Sequence, residues 1–219
     1  VPLFEAYGMT ENCAYATSNS PENIKIGTVG IPAHGVELKL ADDGEILIRS
    51  GGVFKGYFKD DQATSETIDK DGWLHTGDVG IYEGDFVKII DRKRDIIITS
   101  GGKNVSPSEI ENKIKVSPFI KEAIVIGDRR KFLSVLIGIE FDTVSNWALR
   151  KNIPHTTYRD LSEKQEVKDL VWKEISRANE LTSSLEVREF RMIPKELDHE
   201  EGELTATQKV KRNVLIDQF

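Results

Sequence analysis

Two stretches early in the chain carry a two-residue apolar period. Residues 36–40 read VELKL and residues 45–49 read EILIR, each with a period of two. That period marks half-buried strands, and the intervening Asp42-Asp43-Gly44 is a hairpin turn signal. The paired strands turn Val36, Leu38, Leu40, Ile46 and Ile48 toward a core. Gly27, Gly30 and Pro32 punctuate the chain before this hairpin, and Gly51, Gly52 and Gly56 mark bends after it. A short helix is expected over 62–68 and a further strand over 86–90, so residues 27–91 read as β-rich. The β-branched run at 96–99 reads as a buried strand, broken by Gly101-Gly102. Ser106 then caps a short amphipathic helix with Ile110 and Ile114 on one face; Pro107 takes its first position, and Glu109 can close a capping box. Strands are expected over 123–126 and 133–141, and a helix over 142–151 that Pro154 ends. The strongest helical period covers residues 163–181, where Val167, Leu170, Val171, Ile175 and Ala178 share a face. Ser162 is its expected cap, with Gln165 in the capping-box position. A strand over 187–193 and a polar, then basic, loop over 199–212 complete an α+β pattern.

Charge and composition narrow the function classes. The formal net charge is −7, which argues against non-specific nucleic-acid binding, because phosphate affinity needs clustered Lys and Arg. The polar face of the long helix mixes signs, which suits core packing and not a membrane surface. No apolar run approaches the roughly 20 residues of a spanning helix, and no signal peptide is visible. Cys13 is the single cysteine, so no internal disulfide forms and a reducing cytoplasm is expected. The length suits one large or two small domains.

One charged cluster interrupts this pattern. Asp91-Arg92-Lys93-Arg94-Asp95 is too polar to be buried and leads straight into the strand at 96–99. A solvated joint feeding a buried strand is what a hinge between two rigid bodies looks like. Residues 91–106 (DRKRDIIITSGGKNVS) resemble the hinge motif of the adenylate-forming superfamily of acyl-CoA synthetases, peptide-synthetase adenylation domains and luciferases. YGMTE at 7–11, WLHTGD at 73–78 and LTATQKVKR at 204–212 join it in the family's order and spacing. The likeness is greatest to long-chain fatty acid–CoA ligases, whose C-terminal domain residues 110–137 resemble.

The resemblance implies an α+β fold: a small β-barrel-like subdomain, ending a larger domain at residues 1–92, then a mobile α+β domain at 93–219. The Ser/Thr/Gly-rich phosphate loop that precedes YGMTE in the family does not occur in these 219 residues. The chain is therefore expected to be the last part of a longer enzyme and, alone, to support no adenylation. The implied co-substrates are ATP with Mg²⁺, a fatty acid and CoA, with room for peripheral association of the full enzyme with a membrane.

The motifs carry a consistent chemistry. Gly8 permits a turn that presents Thr10 and Glu11 together, and a hydroxyl beside a carboxylate suits a nucleotide phosphate with Mg²⁺. The resemblance puts Tyr7 against adenine, Thr10 on phosphate and Glu11 on the metal. A carboxylate on a glycine-flanked turn suits vicinal hydroxyls, and the resemblance gives Asp78 to the ribose. Arg92 offers a planar fork for the same hydroxyls. Arg94 is the implied pivot, and Gly101, Gly102 and Lys103 line the nucleotide and thiol path. Lys209 matches the catalytic lysine, although Gln208 stands where many family members have glycine; Lys211 and Arg212 supply supporting charge. His75 lacks ligand-spaced partners and reads as structural. Residues 128–131 are a basic hairpin tip that suits either CoA phosphates or plain solvent. The alternatives are a fatty acyl-AMP ligase, an aryl-CoA ligase, a reductase adenylation domain, or a non-catalytic truncated module.

Overall fold

A computed structural model describes residues 3–181, 186–205 and 210–218. The chain divides into two compact units, residues 1–95 and 96–219.

The first unit is built on the alternating hairpin. β1 (Ala6–Tyr7), β2 (Thr17–Ser18) and β3 (Ile31–Pro32) form a small antiparallel sheet. β4 (Val36–Leu40), β5 (Glu45–Ser50), β6 (Leu74–Glu83) and β7 (Phe86–Arg92) form a four-stranded antiparallel sheet that curls into half a barrel. The hairpin has the expected register, with Leu38 opposite Ile48 and Leu40 opposite Ile46, and Gly44 takes the positive φ of 83° at its turn. Ile46, Ile48, Leu74 and Val87 are fully buried under it. Val29 and Gly30 exchange backbone hydrogen bonds with Val87, which docks the β3 end of the small sheet onto β7. Between β5 and β6 lies α1 (Asp61–Thr67), capped by Asp60.

The second unit packs helices on a three-stranded sheet. β8 (Ile97–Ile98) and β9 (Asn104–Val105) make a short hairpin. The run at 96–99 is not one buried strand: Ile97 is buried, Ile98 is exposed, and pairing stops after two residues. α2 (Pro107–Ile114) starts where expected, with Ser106 Oγ accepting from the Glu109 amide at 3.2 Å. β10 (Ile120–Ile126) and β11 (Leu133–Ile139) are antiparallel, α3 (Phe141–Arg150) follows, and β12 (Val187–Met192) joins β11 in parallel. Both faces of the sheet are covered. Val125, Val135 and Ile137 pack with Ile110, Ile114, Val171 and Ile175, while Ile124 and Leu136 meet Leu215 and Ile193 on the other side.

The long helix differs from its expectation. α4 (Tyr158–Glu163) ends at Lys164, whose ψ of 136° breaks the helix, and α5 (Gln165–Glu180) starts afresh. Ser162 is therefore no cap: it is buried inside α4 and donates to the Arg159 carbonyl. Thr157 caps α4 by accepting from the Asp160 amide.

A terminal helix, α6 (Arg212–Gln218), lies beyond the last element that the sequence pattern predicts. Arg212, expected as supporting charge, anchors it: Nη1 and Nη2 reach Glu111 at 2.7 and 3.0 Å, and Nη1 also donates to the Val125 carbonyl. A guanidinium held by three charge-assisted or buried acceptors is worth more than a surface pair. Arg212→Ala is expected to lower stability by about 2 kcal/mol, read as a shift in the denaturant midpoint without a change in slope. Among the described residues no helix is long and apolar enough to cross a membrane.

Candidate functional site

Three of the expected nucleotide residues meet in the first unit. Tyr7 leaves β1 and its hydroxyl donates to Asp78 Oδ2 at 2.5 Å. Arg92, at the end of β7, places Nε 2.9 Å from Asp78 Oδ1. Asp78 and Arg92 are direct partners in the β6–β7 ladder, so backbone register alone sets them side by side. Asp78 is 5% exposed, whereas the Arg92 side chain is half exposed. The result is a carboxylate rooted in the sheet and a guanidinium reaching out from it. Burial first, and then the Asp78 hydrogen bond, hold the Tyr7 hydroxyl well above its ordinary pKa, so Tyr7 is a neutral donor at any working pH.

Asp78 does not sit on a turn. It belongs to a bulge inside β6: between the pairs Leu47–His75 and Glu45–Val79, β6 carries Thr76, Gly77 and Asp78 where β5 carries Ile46 alone. Gly77 takes a φ of +70°, which glycine adopts without a steric penalty. The ladder bonds lost there are replaced by side chains. Thr76 Oγ1 accepts from the Asp78 amide at 3.1 Å and donates to the Ile46 carbonyl at 2.7 Å, and Glu45 Oε1 accepts from the Gly77 amide at 3.0 Å. Bulges of this kind re-aim a side chain.

Gly8, Thr10 and Glu11 follow Tyr7 through a 3-10 turn at Thr10–Asn12. Gly8 is required for a reason other than turn geometry: a Cβ there would lie 2.3 Å from the Ala14 backbone. The left-handed conformations fall instead on Cys13 and Ala14. Thr10 is exposed. Glu11 Oε1 accepts from the Tyr57 hydroxyl at 2.7 Å, and the Glu11 carbonyl accepts from the Phe54 amide at 2.8 Å. Glu11 is thus fixed at both backbone and side chain. A carboxylate has lone pairs to spare after one such bond, and a single carboxylate with phosphate oxygens is a common Mg²⁺ set. The Glu11 carboxylate beside the Thr10 hydroxyl is the kind of donor set that fits a metal brought with phosphate; among the described residues no cluster of three or more metal-binding side chains occurs.

The remaining expected residues lie elsewhere. Arg94 is in a 3-10 turn, Lys93–Asp95, with its side chain largely exposed. Gly101, Gly102 and Lys103 form the exposed β8–β9 turn of the second unit. The Gly102 amide donates to Thr99 O, and Thr99 Oγ1 accepts from the Lys103 amide. Nothing presses on either glycine, and Gly102 alone needs its residue type, for a φ of +75°. The 128–131 tip lies against this turn, Arg129 N donating to Ile98 O and Ser100 N to Arg130 O. Lys209, the catalytic candidate, lies outside the described residues. Sequence reasoning missed Glu45 and Tyr57, since each acts on a residue distant in the chain, and Thr76, whose tie to the Ile46 carbonyl appears only when β5 and β6 are paired.

The chain is similar to proteins of known family. A long-chain-fatty-acid–CoA ligase FadD15 of Mycobacterium tuberculosis is 38% identical over 220 residues, covering 99% of this chain and 36% of its own. Long-chain-fatty-acid–CoA ligase 5 of Rattus norvegicus is 34% identical, covering 96% of this chain and 33% of its own. The chain thus spans about a third of the length of the curated relatives it matches. Among solved structures, the O-succinylbenzoate coenzyme A synthetase of Bacillus subtilis in complex with AMP superposes with a TM-score of 0.69 at 26% identity, over 98% of this chain and 40% of that one. The adenylation domain of a Mycobacterium chelonae carboxylate reductase shares the fold, with a TM-score of 0.73 at 22% identity, over 98% and 33%. The model of the AMP-binding enzyme family matches residues 1–58, and that of the AMP-binding enzyme C-terminal domain matches residues 94–219. With the Tyr7–Asp78–Arg92 cluster inside one unit and a C-terminal domain of this type as the other, the chain belongs to the AMP-binding enzyme family.

Proposed function

We propose that this chain is the C-terminal portion of an AMP-forming long-chain fatty acid–CoA ligase. A fatty carboxylate attacks the α-phosphorus of ATP, giving acyl-AMP and pyrophosphate. The CoA thiol then attacks the acyl carbon, giving acyl-CoA and AMP. The observation that carries the reading is the Tyr7–Asp78–Arg92 cluster, in a chain more than a third identical to long-chain-fatty-acid–CoA ligases. Asp78 and Arg92 hold the ribose hydroxyls, the Tyr7 ring lies against adenine, and Thr10 and Glu11 face the phosphates. Mg²⁺, when bound, neutralises phosphate charge as pyrophosphate leaves. Lys209 carries a permanent charge to the acyl carboxylate and the α-phosphate, and Gly101, Gly102 and Lys103 border the path of the thiol. The domains are residues 1–92 and 93–219, joined at 91–95. The setting is the cytoplasm, with peripheral contact at a membrane.

The test is ATP–pyrophosphate exchange by the full-length protein that carries this segment. Exchange should depend on a long-chain fatty acid; exchange driven only by aromatic acids would sink the reading.

The joint has its own test. If Arg94 is the pivot that lets one domain serve two half-reactions, locking its φ with proline restricts that motion. Arg94→Pro is expected to slow thioester formation from supplied acyl-AMP about tenfold while adenylate formation changes less. Equal rates in both assays for variant and wild type would remove the pivot.

A further inference from the structure

Glu45 is a carboxylate where the sheet has no local need of one. It lies on β5 directly after the hairpin turn and is 5% exposed. Its neighbours Ile46 and Ile48 already supply the core face. Burying a charge is unfavourable unless it is fully paired, and Glu45 is paired on three sides. Oε1 accepts from the Gly77 amide at 3.0 Å; Oε2 accepts from Lys93 Nζ at 2.9 Å and lies 3.2 Å from His75 Nδ1. Lys93 Nζ also reaches Asp43 Oδ2 at 2.6 Å, and Asp43 Oδ1 accepts from the Glu45 amide. His75 faces Asp69 with its other nitrogen, 3.8 Å away.

The identity of the partners gives this cluster its meaning. Gly77 immediately precedes Asp78, and Lys93 immediately follows Arg92. One carboxylate therefore grips both strands one residue away from the Asp78–Arg92 pair. It also supplies the acceptor that the Gly77 amide loses where the bulge leaves the ladder. Burial pushes the Glu45 carboxyl up, but Lys93, His75 and the Gly77 amide outweigh it and hold it below the usual carboxylate range. Glu45 is charged wherever the enzyme works.

We propose that Glu45 is a positioning residue for the nucleotide: it sets the bulge that aims Asp78 and the strand end that carries Arg92, and so determines affinity for the adenosine moiety. The inference rests on Asp78 and Arg92 holding the ribose, and not on which acid is activated.

The experiment measures AMP binding by titration calorimetry, and KM for ATP and for fatty acid, in the full-length protein. Glu45→Gln keeps the volume and an acceptor for Gly77 but drops the charge; Glu45→Ala removes both. AMP affinity and KM for ATP are expected to worsen about tenfold in Glu45→Ala and less in Glu45→Gln, with KM for the fatty acid unchanged. Lys93→Met, which removes one partner of Glu45 but leaves the Gly77 amide its acceptor, is expected to fall between wild type and Glu45→Ala. In the double variant Glu45→Gln with Asp78→Asn, the losses should not add, because Glu45 acts through Asp78 and Arg92. Wild-type AMP affinity in the folded fraction of every Glu45 variant overturns the proposal, whatever happens to thermal stability. So does strict additivity in the double variant. A wild type that binds AMP yet activates no fatty acid removes the fatty-acid reading and leaves this one standing; a wild type that binds no AMP removes both.

Discussion

Lys209→Ala in the full-length protein is expected to lower adenylate formation about 10²–10³-fold, the loss typical when a charge aimed at a developing anion is removed. Thioester formation from supplied acyl-AMP and CoA should stay within a factor of about three, because the lysine has no part in that step. Pre-steady-state quench separates the two half-reactions: pyrophosphate release reports the first, and consumption of added acyl-AMP reports the second. The reason for the split is electrostatic. In the first step, a carboxylate approaches a phosphate, and two anions must share one site; a lysine between them relieves that repulsion in the transition state more than in the ground state. In the second, the attacking thiolate meets an acyl carbon whose leaving group is AMP. The described residues that flank 206–209 are tied to one another. Leu204 and Val210 are paired across a β-bridge, and the Lys211 amide donates to the carbonyl of buried Glu203 at 2.8 Å. Lys209→Arg keeps the charge on a larger planar group, and is expected to recover only a small part of the rate. Loss of both half-reactions to the same extent would remove Lys209 from its role.

How far the chain can be read without coordinates depends on how local each signal is. The β4–β5 hairpin is readable because its period, its turn residues and its apolar partners lie within fifteen consecutive residues, 36–50. The Ser106 cap is readable for the same reason. The break between α4 and α5 is not. Ser162 and Gln165 satisfy the capping template, yet Leu161 is drawn into the core and Lys164 turns extended, so packing overrides the local pattern. α6 escapes because it is held by Arg212 reaching Glu111 and by Leu215 packing on Ile124, Leu136 and Ile193, partners that nothing near 212 announces. The site divides the same way. Motif resemblance names Tyr7, Asp78 and Arg92 separately, but sheet register sets Asp78 beside Arg92, and Tyr7 reaches Asp78 from another sheet. Glu45 reads as one polar residue of an alternating strand, and its partners Gly77 and Lys93 become visible only when β5, β6 and β7 are side by side.

Asp78→Ala is expected to lower kcat/KM for ATP about 10²-fold or more, from two losses that add. The first is the proposed bond to ribose, a hydroxyl donating to a carboxylate. The second is internal: without Asp78 the Tyr7 hydroxyl and the Arg92 Nε, now 2.5 and 2.9 Å from its oxygens, lose their common acceptor. An orphaned group in a partly buried site costs about 1–3 kcal/mol, and Arg92 is released to point elsewhere. Asp78→Asn keeps the size and one acceptor oxygen, and is expected to lose less. Rate alone does not separate these effects from a general loss of fold, so the decisive comparison uses the nucleotide. If Asp78 and Arg92 hold the sugar hydroxyls as proposed, wild type should prefer ATP to 2′,3′-dideoxy-ATP strongly. In Asp78→Ala that preference should shrink toward unity, since the partner of the hydroxyls is gone whether or not they are present. A variant that discriminates between the two nucleotides as sharply as wild type would show that Asp78 only supports the sheet, and the ribose would then have to be held by Arg92 alone.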